Sequence, residues 1–259
     1  MTSLRSLVGS GRTLVAPGAT DALSAKLIEA HGFESVYIGS YATAASRFGI
    51  PDTGLLSLDA LVEQARTIAQ AVKVPVIADA EGGFHEVGEI SRTVQAFEHA
   101  GVAAIHIEDH TGAGKHTSAP QTLRDAGTMA GRIEAAVKAR TNPELMIVAR
   151  SDAFWVSRDL EECIARLALY AEAGADMVFP TAVGPAELAE VRRRIDKPAM
   201  IVDMPGRSLE EHLGAAVVLY YAFSTLVQFE ALSGALRDFK AGKRPGGQAS
   251  LEDFLGFSK

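Results

Sequence analysis

The chain has little cysteine: Cys163 is the single one among 259 residues, which excludes an intrachain disulfide and a cysteine-rich zinc site. It also has no surplus of basic residues. The net charge of −7 at pH 7 argues against a nucleic-acid partner, because phosphates need a basic surface. No apolar run approaches the roughly 18 residues of a membrane span, and residues 1–11 lack the apolar segment of a signal peptide. We therefore expect a cytoplasmic protein that does not interact with membranes.

Linkers and low-complexity segments are absent from the sequence, and 47% of its residues are hydrophobic, so we expect one domain spanning 1–259. Short apolar runs rich in valine and isoleucine alternate with amphipathic stretches, which is typical of parallel strands buried on both faces. Eight such runs are present: 14–16, 35–38, 74–78, 103–107, 146–149, 177–179, 199–202 and 217–219. The main amphipathic stretches are 58–72, 85–100, 131–140, 160–173 and 185–195.

Eight strand–helix units in roughly 250 residues predict an α/β fold, a (β/α)8 TIM-type barrel. A doubly wound open sheet is the alternative. It usually has fewer strands, or a glycine-rich dinucleotide turn after the first strand, where this chain has PGATD. Two long loops, 39–57 and 109–127, are expected at the C-terminal face of the barrel, where lids and binding loops lie.

Two apolar runs end abruptly in carboxylates, namely VIADAE at 76–81 and IHIED at 105–109. Because side chains alternate along a strand, Asp79 and Glu81 are expected on one face, with Glu108 at the end of the neighbouring strand. Clustered acids repel one another, and a hard cation such as Mg²⁺ or Mn²⁺ is the usual reason for keeping them together. Helix capping or pairing with lysines is the alternative. We predict a metal site that polarises a small, oxygen-rich substrate.

Three further polar residues follow predicted strands or lie in the first long loop. Arg150 is suited to hold a carboxylate by a two-pronged hydrogen bond, although an ion pair with Asp152 or Glu108 is the alternative. Ser40 follows the second strand beside small residues, and its hydroxyl can donate to an oxyanion. Asp52, on a turn, either meets the metal shell or is an ordinary turn aspartate.

The second long loop carries three more candidates, Lys115, His116 and Ser118. If this loop is a mobile lid, these groups bind the substrate or transfer protons when it closes. The alternative is a plain solvated loop without a chemical role. Cys163 falls within the amphipathic stretch 160–173, where we expect it to pack in the core.

Seven motifs occur in order between residues 14 and 225: PGATDA, GSYA, GIPDTG, PVIADAEGGF, GVAAIHIED, IVARSDA and YAEAGAD. In this order they resemble the isocitrate lyase/phosphoenolpyruvate mutase superfamily. The resemblance implies a Mg²⁺-dependent α/β barrel that acts on 2-oxo or 2-hydroxy acids. Such enzymes break or form C–C or C–P bonds next to a carboxylate, through an enolate. The resemblance also implies a homo-oligomer, either a dimer or a tetramer.

Matching residues carry roles over from the superfamily. The resemblance implies that Asp79 is the direct metal ligand and that Glu81 and Glu108 are ligands that often act through water. It implies that Asp52 is the acid of a gating region near the reacting group. The substrate-binding residues that it implies are Ser40 with the backbone at Tyr41 and Ala42, together with Arg150.

Two departures from the superfamily bear on the reaction. Glu81 stands where a second aspartate is usual, and its extra methylene is expected to shift the ion or a bridging water. The lyase branch has a cysteine in a Lys-Lys-Cys-Gly-His-type loop, whereas KHTS at 115–118 has none, which counts against a thiol base. The mutase and phosphonopyruvate hydrolase branch has lysine and asparagine before serine. Lys115 and Ser118 match that pattern, but the asparagine is absent.

The leading hypothesis is a metal-dependent lyase or decarboxylase of a small 2-oxo- or 2-hydroxy-dicarboxylate, such as oxaloacetate or a substituted malate. Its expected catalytic residues are Asp52, Lys115, His116 and Arg150. C–P chemistry on phosphonopyruvate is one alternative. A barrel that binds a metabolite without catalysis is the other, which the change at Glu81 and the altered loop favour.

Overall fold

The apolar runs of the sequence form parallel strands in the computed structural model, which describes residues 2–112, 115–116, 121–203 and 214–244. Each strand differs from its predicted run by at most two residues at either end. The described strands are β1 (Leu14–Pro17), β2 (Val36–Ile38), β3 (Val76–Asp79), β4 (Ala104–Glu108), β5 (Met146–Ser151), β6 (Met177–Pro180), β7 (Met200–Val202) and β8 (Val217–Tyr220).

These strands close into a barrel. They form two sheets, one in the order β2-β3-β4-β5-β6 and the other in the order β1-β8-β7. Two isolated parallel bridges join the sheets, one between Gly18 and Tyr37 and the other between Val178 and Ala199. The strands therefore follow one another around the barrel in sequence order. The prediction of a (β/α)8 barrel is confirmed, and the alternative of an open doubly wound sheet is excluded.

Helices alternate with the strands. The described α-helices are α1 (Leu4–Val8), α2 (Ala22–Ala30), α3 (Ser40–Thr43), α4 (Leu58–Ala71), α5 (Ile90–Ala100), α6 (Ala126–Ala139), α7 (Ala153–Ser157), α8 (Leu160–Glu172), α9 (Pro185–Arg194) and α10 (Phe223–Lys240). A π-helical turn, Ala44–Phe48, follows α3, and a 3₁₀ turn, Val87–Glu89, precedes α5. None of the described helices has both the length and the apolar character needed to cross a membrane.

Capping side chains and glycines determine several helix ends. The Asp21 carboxylate accepts a hydrogen bond from a backbone N–H at the start of α2, and the Ser57 hydroxyl does the same for α4. Gly101 and Gly174 follow α5 and α8 with φ of 87° and 101°, a conformation that glycine adopts without a Cβ penalty. Asp125 caps α6, which begins five residues before the predicted stretch 131–140.

The first long loop is more helical than predicted. Within 39–57, helix α3 and the π-helical turn occupy residues 40–48, because a run of alanine and other small residues follows β2. The second long loop, 109–127, is described in part: Lys115 and His116 are included, whereas Ser118 lies outside the described residues. Both loops begin at the C-terminal ends of strands, which is the side of the barrel predicted for the site.

The barrel interior is filled at its N-terminal end and open at its C-terminal end. Inward side chains such as Ile77, Val148 and Met200 form one apolar cluster, which Leu4 and Leu7 of α1 extend. A second cluster fills the space between strands and helices. Burial of both faces explains why the strands are continuous apolar runs. Polar side chains that follow these runs are therefore collected at the open end.

Candidate active site

Acidic and basic side chains meet where β3, β4 and β5 end. Asp79 is the last residue of β3, and Glu108 is the last residue of β4, where it lies in register with Arg150 of β5. A cavity of about 280 Å³ opens beside them. The C-terminal end of the strands is where barrel enzymes place catalytic groups. Polar side chains that line the cavity include those of Ser40, Asp52, Asp79, Lys115, His116 and Arg150.

Glu81 reaches this cluster from a turn and not from a strand. β3 ends at Asp79, and Glu81 has a left-handed φ of 49°, which is uncommon for a residue with a side chain. The Glu81 N–H donates to the Asp79 carboxylate over 2.8 Å, and the Glu108 N–H donates to the Glu81 carbonyl over 2.9 Å. The expectation that Asp79 and Glu81 share a strand face is therefore wrong, although the turn places both carboxylates in one cluster.

The Lys115 ammonium lies among the carboxylates. Its Nζ is 2.8 Å from Glu81 Oε2, 3.0 Å from Glu108 Oε1 and 3.8 Å from Asp52 Oδ2. The side chain is 1% exposed. Burial alone would lower the pKa of Lys115, but the charges of Glu108 and Glu81 raise it well above its usual value. Lys115 is therefore a permanent cation in the acid cluster, and Glu81 and Glu108 contact it without lining the cavity.

The acids differ in proton affinity. Burial, together with the charges of Asp79 and Glu108, raises the pKa of Glu81 to about 8. Burial also raises the pKa of Glu108. Burial acts in the same direction on Asp79, but the surrounding charges, led by His106, hold the pKa of Asp79 well below its usual range. Asp79 is therefore the acid that most readily stays ionised in the absence of an added cation.

The donor chemistry of this cluster fits a divalent cation. Glu81 Oε1 is buried without a hydrogen-bond partner among the described residues, and the two buried carboxylate oxygens of Glu108 meet only the cations of Lys115 and Arg150 there. Such oxygens are costly to bury unless a cation meets them, and carboxylates are the ligands that Mg²⁺ and Mn²⁺ prefer. The acids here face Lys115, and within the described ranges no three histidine, cysteine, aspartate or glutamate side chains surround one point as metal ligands.

Arg150 is held by ion pairs and also lines the cavity. Its Nε lies 2.8 Å from Asp152 Oδ1 and 3.0 Å from Thr181 Oγ1, and its Nη1 lies 3.0 Å from Glu108 Oε2. Burial opposes its charge, but Asp152 and Glu108 raise the pKa of Arg150 well above its usual value. The ion pairs with Asp152 and Glu108, which the sequence offered as the alternative to substrate binding, are therefore present. They fix the guanidinium beside the cavity, where a substrate carboxylate can reach it.

A chain of polar contacts links the second loop to Asp79. The Ser40 hydroxyl donates to Asp79 Oδ2 over 2.9 Å, and the Ser40 N–H lies 3.3 Å from the same oxygen. Asp52 Oδ2 is 3.3 Å from Ser40 Oγ and 3.4 Å from His116 Nε2. The structure therefore brings Ser40, Asp52 and His116 together, as expected from their positions in the two long loops.

The remaining predicted residues have different positions. Tyr41 lines the cavity, and its ring makes edge contacts with the rings of His116 at 6.0 Å and Tyr221 at 5.6 Å between centroids. Ala42 is buried in α3, and its side chain is not part of the cavity wall. Ser118 has no described position. Of the predicted substrate-binding residues Ser40, Tyr41 and Ala42, the structure places Ser40 and Tyr41 in the cavity wall.

Several residues of the cavity wall were not predicted from the sequence, among them Tyr37, Trp155, Phe179 and Thr181. Trp155 and Thr181 come shortly after β5 and β6, so their position beyond a strand end is the signal that could have found them. Tyr37 and Phe179 lie within apolar runs and carry no such signal. The Tyr37 hydroxyl lies 3.0 Å from Nε2 of the buried His106, which places that histidine directly beneath the cavity.

Cys163 is remote from this chemistry. It is fully buried in α8, and burial raises the pKa of its thiol to about 12. A thiol with so high a pKa is not a nucleophile or a base at neutral pH. The prediction that Cys163 packs in the core is confirmed.

Comparisons with known sequences agree with the fold and the motifs. The family model described as phosphoenolpyruvate phosphomutase matches residues 4–240. The 2,3-dimethylmalate lyase of Eubacterium barkeri is 42% identical over 178 residues, which is 68% of this chain and 61% of that enzyme. The chain therefore spans less than two thirds of the length of this relative.

Solved structures extend the comparison to nearly the whole chain. Oxaloacetate acetylhydrolase in complex with the inhibitor 3,3-difluorooxalacetate has a TM-score of 0.91 and 25% identity, covering 99% of this chain and 92% of that one. A complex of phosphonopyruvate hydrolase with oxalate and Mg²⁺ has a TM-score of 0.88 and 25% identity, covering 98% and 93%. Because the family match spans most of the sequence, this chain belongs to the phosphoenolpyruvate phosphomutase family, within the PEP mutase/isocitrate lyase superfamily.

Proposed function

We propose that this protein is a metal-dependent lyase or decarboxylase that cleaves a C–C bond of a small 2-oxo- or 2-hydroxy-dicarboxylate. One observation carries the proposal: Asp79, Glu81 and Glu108 gather with Arg150 beside a cavity of about 280 Å³ at the C-terminal end of the barrel. The similarity to 2,3-dimethylmalate lyase supports a substituted malate as substrate. The similarity to oxaloacetate acetylhydrolase supports oxaloacetate.

The proposed cofactor is Mg²⁺ or Mn²⁺, held by Asp79, Glu81 and Glu108. When bound there, the cation supplies Lewis-acid polarisation of a substrate oxygen and stabilises the negative charge that develops as the bond breaks. The structure of phosphonopyruvate hydrolase with oxalate and Mg²⁺ supports this assignment. Asp79 suits the role of a direct ligand because it stays ionised.

Arg150 and Ser40 bind and orient the substrate in this proposal. The Arg150 guanidinium presents its cavity side to a substrate carboxylate, while Asp152 and Thr181 hold its other edge. Holding the guanidinium in place lowers the entropy lost when the carboxylate binds. Ser40, at the start of α3, exchanges its hydrogen bond with Asp79 for one with the same carboxylate. These contacts align the bond that breaks with the acid cluster.

Asp52 and His116 are the proposed proton-transfer pair. Cleavage of a 2-hydroxy acid removes the proton of the substrate hydroxyl, and the new carbanion takes up a proton after the bond breaks. His116 Nε2, which lies 3.4 Å from Asp52 Oδ2, accepts the first proton, and after the bond breaks the imidazolium returns that proton to the carbanion. The His116 ring, which is 40% exposed, lies 5.3 Å from the Trp155 ring. Lys115 keeps the local charge balanced.

C–P cleavage of phosphonopyruvate is the second candidate function. It is favoured by the similarity to phosphonopyruvate hydrolase and by Lys115, which matches the lysine that this branch has in the loop. Phosphonopyruvate and oxaloacetate share a 2-oxo carboxylate, so Arg150 and Ser40 serve both in the same way. The two functions differ in the leaving group, and product analysis separates them.

The activity test is a substrate panel with product analysis. Full-length protein treated with EDTA and then supplied with Mn²⁺ is incubated with 2,3-dimethylmalate, 2-methylmalate, oxaloacetate and phosphonopyruvate. We expect pyruvate from a substituted malate, or pyruvate or oxalate from oxaloacetate, with activity lost in EDTA and restored by Mn²⁺. Phosphate release would favour the second candidate. Turnover that survives EDTA would contradict the metal, and oxalate binding without any turnover would favour a binding barrel.

We also propose that the protein is a cytoplasmic homo-oligomer, either a dimer or a tetramer. Helix α10 supports assembly because it exposes large apolar side chains, among them Phe229, Leu232 and Phe239 at 74%, 61% and 69% exposure. A contiguous apolar surface of this kind usually marks an interface. A reducing compartment agrees with a lone, buried cysteine.

Substitution at α10 tests the assembly. We expect the wild-type protein to sediment as a dimer or tetramer and Phe229→Asp to shift it to a smaller species, because a buried charge opposes the interface. The control is Glu230→Gln, on the same exposed helix, which is expected to keep the wild-type sedimentation coefficient. A wild-type monomer at micromolar concentration would contradict the proposal.

A further inference from the structure

We propose that Arg132, which extends from α6 outside the barrel, is a positioning residue for the acid cluster. It fixes the turn after β3, residues 81–84, and thereby sets where the Glu81 carboxylate lies. The inference rests on the proposed function, since it assumes that Glu81 helps to bind the divalent cation. The Arg132 side chain itself does not line the cavity.

The turn 81–84 has an unusual backbone. Glu81, Gly83 and Phe84 have φ of 49°, 89° and 58°, so three of its four residues are left-handed. This conformation suits Gly83 but is strained for Glu81 and Phe84, which carry a Cβ. Strained backbone of this kind persists only where surrounding contacts hold it. The turn that places Glu81 therefore depends on its neighbours.

Two outer helices supply these contacts. The Thr93 hydroxyl of α5 donates to the Gly83 carbonyl over 2.7 Å. Nη2 of Arg132 donates to the Gly82 carbonyl over 2.5 Å. The guanidinium also packs tightly on the turn, because a Cβ built on Gly83 would lie 2.9 Å from Arg132 Nη2. Thr93 and Arg132 are both almost fully buried, so water cannot easily replace either donor.

Fold stability alone does not explain a charged residue at position 132. The side chain is 1% exposed, and its Nε and Nη1 lack hydrogen-bond partners within the described ranges. No ion pair to a carboxylate is found for it in the described part of the chain. Burial, followed by the nearby charge of Arg124, lowers the pKa of Arg132, although the charge of Glu86 acts in the opposite direction. A buried, unpaired cation costs stability, so its hydrogen bond to the turn is the contact that accounts for it.

The link to the acid cluster is short. Glu81 Oε2 is 2.8 Å from Lys115 Nζ, so a small shift of the turn changes how the carboxylate meets a cation. Residues that orient metal ligands typically change metal affinity by roughly 10–100-fold when they are substituted. Loss of the Arg132 hydrogen bond releases the Gly82 carbonyl and lets the strained turn relax. Glu81 then leaves its position.

The experiment compares Mn²⁺ binding by the full-length wild type, Arg132→Met, Arg132→Lys and a control. We expect Arg132→Met to weaken Mn²⁺ binding, measured by electron paramagnetic resonance, by about 10–100-fold. Arg132→Lys, which keeps a donor, should recover part of that loss. The control Arg140→Met removes a half-buried arginine that bonds Asp176 and the Leu145 carbonyl at the opposite end of the barrel. It should lower Tm without changing Mn²⁺ affinity.

A metal-free readout accompanies the binding data. Amide hydrogen exchange in residues 80–86 should be faster in Arg132→Met than in the wild type, whereas Arg140→Met should leave it unchanged. If Arg132→Met does not fold, Arg132→Lys decides: weaker Mn²⁺ binding at wild-type Tm supports the inference, and wild-type affinity overturns it.

Failure of the inference is distinguishable from failure of the proposed function. Normal Mn²⁺ binding by the wild type with unchanged affinity in the variants overturns the Arg132 role alone. Absence of Mn²⁺ binding by the wild type overturns the proposed metal, and the Arg132 role with it. A fall in affinity that the control shares, in step with its fall in Tm, reveals a general loss of structure and also overturns the positioning role.

Discussion

Substitution of Arg150 by lysine is expected to lower kcat/KM by about 10²–10³-fold while the protein stays folded. Lysine keeps a positive charge between Glu108 and Asp152, so neither buried carboxylate is left without a cation. It cannot reproduce the planar set of donors that contacts Asp152 and Thr181 at 2.8 and 3.0 Å and still faces the cavity. The loss therefore falls on substrate orientation and not on the fold.

The Arg150 prediction is checked by steady-state kinetics and by titration with oxalate in the presence of Mn²⁺. Oxalate affinity should fall in Arg150→Lys, because oxalate carries the carboxylate that the guanidinium holds. Arg158→Lys is the matched control, since Arg158 is exposed at the end of α7 and does not line the cavity. Wild-type turnover and oxalate affinity in Arg150→Lys would show that the ion pairs of Arg150 are its whole role.

Arg150→Met separates the structural role of the residue from its role in binding. It leaves Glu108 and Asp152 buried without their shared cation. Removing one partner of a buried ion pair costs about 3–5 kcal/mol. Arg150→Met should therefore lose stability as well as activity, whereas Arg150→Lys loses activity alone.

The fold was predictable because burial leaves a direct trace in the sequence. Strands such as β4 and β5 are covered on both faces, so each appears as a continuous apolar run. Polar residues that end such a run must lie at one rim of a parallel barrel, which is why Asp79, Glu108 and Arg150 could be placed together. The predicted stretch 131–140 starts five residues after the first residue of α6, because Ala126 and Gly127 carry no amphipathic signal.

Contacts made by turns and loops could not be predicted in this way. Strand alternation predicted correctly that Glu81 lies near Asp79, but the reason was wrong. The position of Glu81 depends on a left-handed turn that hydrogen bonds from α5 and α6 hold in place. Lys115 contacts Glu81 and Glu108, from which it is separated in the sequence, and no local pattern encodes those contacts. Tyr37 lies in the same apolar run as core residues, so the sequence does not indicate that it lines the cavity.

Substitution of Lys115 by methionine is expected to make the stability of the protein depend on a divalent cation. The Lys115 ammonium contacts Glu81 and Glu108 and lies 3.8 Å from Asp52, and all three acids are buried. Without it, these carboxylates keep their desolvation cost and lose a cation that lies close to all three, and Glu108 keeps its ion pair with Arg150. The expected cost is about 3–5 kcal/mol, or a fall in Tm on the order of 10 °C for a chain of this size.

Mn²⁺ should reverse this loss, because the acids that face Lys115 are the proposed ligands of the metal. In the wild type, the ammonium and the added Mn²⁺ would compete for the same carboxylates. Displacing the lysine would therefore reduce the net free energy of Mn²⁺ binding. In Lys115→Met that competition is absent. The rise in Tm on adding Mn²⁺ should therefore be larger in the variant than in the wild type, while turnover falls because charge balance at the reacting group is lost.

Thermal denaturation with and without Mn²⁺ measures both effects. Lys73→Met is the matched control, since Lys73 is exposed on the outside of the barrel and should leave Tm and its response to Mn²⁺ unchanged. A saturating metal at one hundred times its Kd stabilises the folded state by about 2.7 kcal/mol, which sets the size of the expected shift. Equal Mn²⁺ responses in the wild type and Lys115→Met would show that lysine and metal do not share these carboxylates. The proposed ligand set would then be wrong even if the enzyme needed a metal.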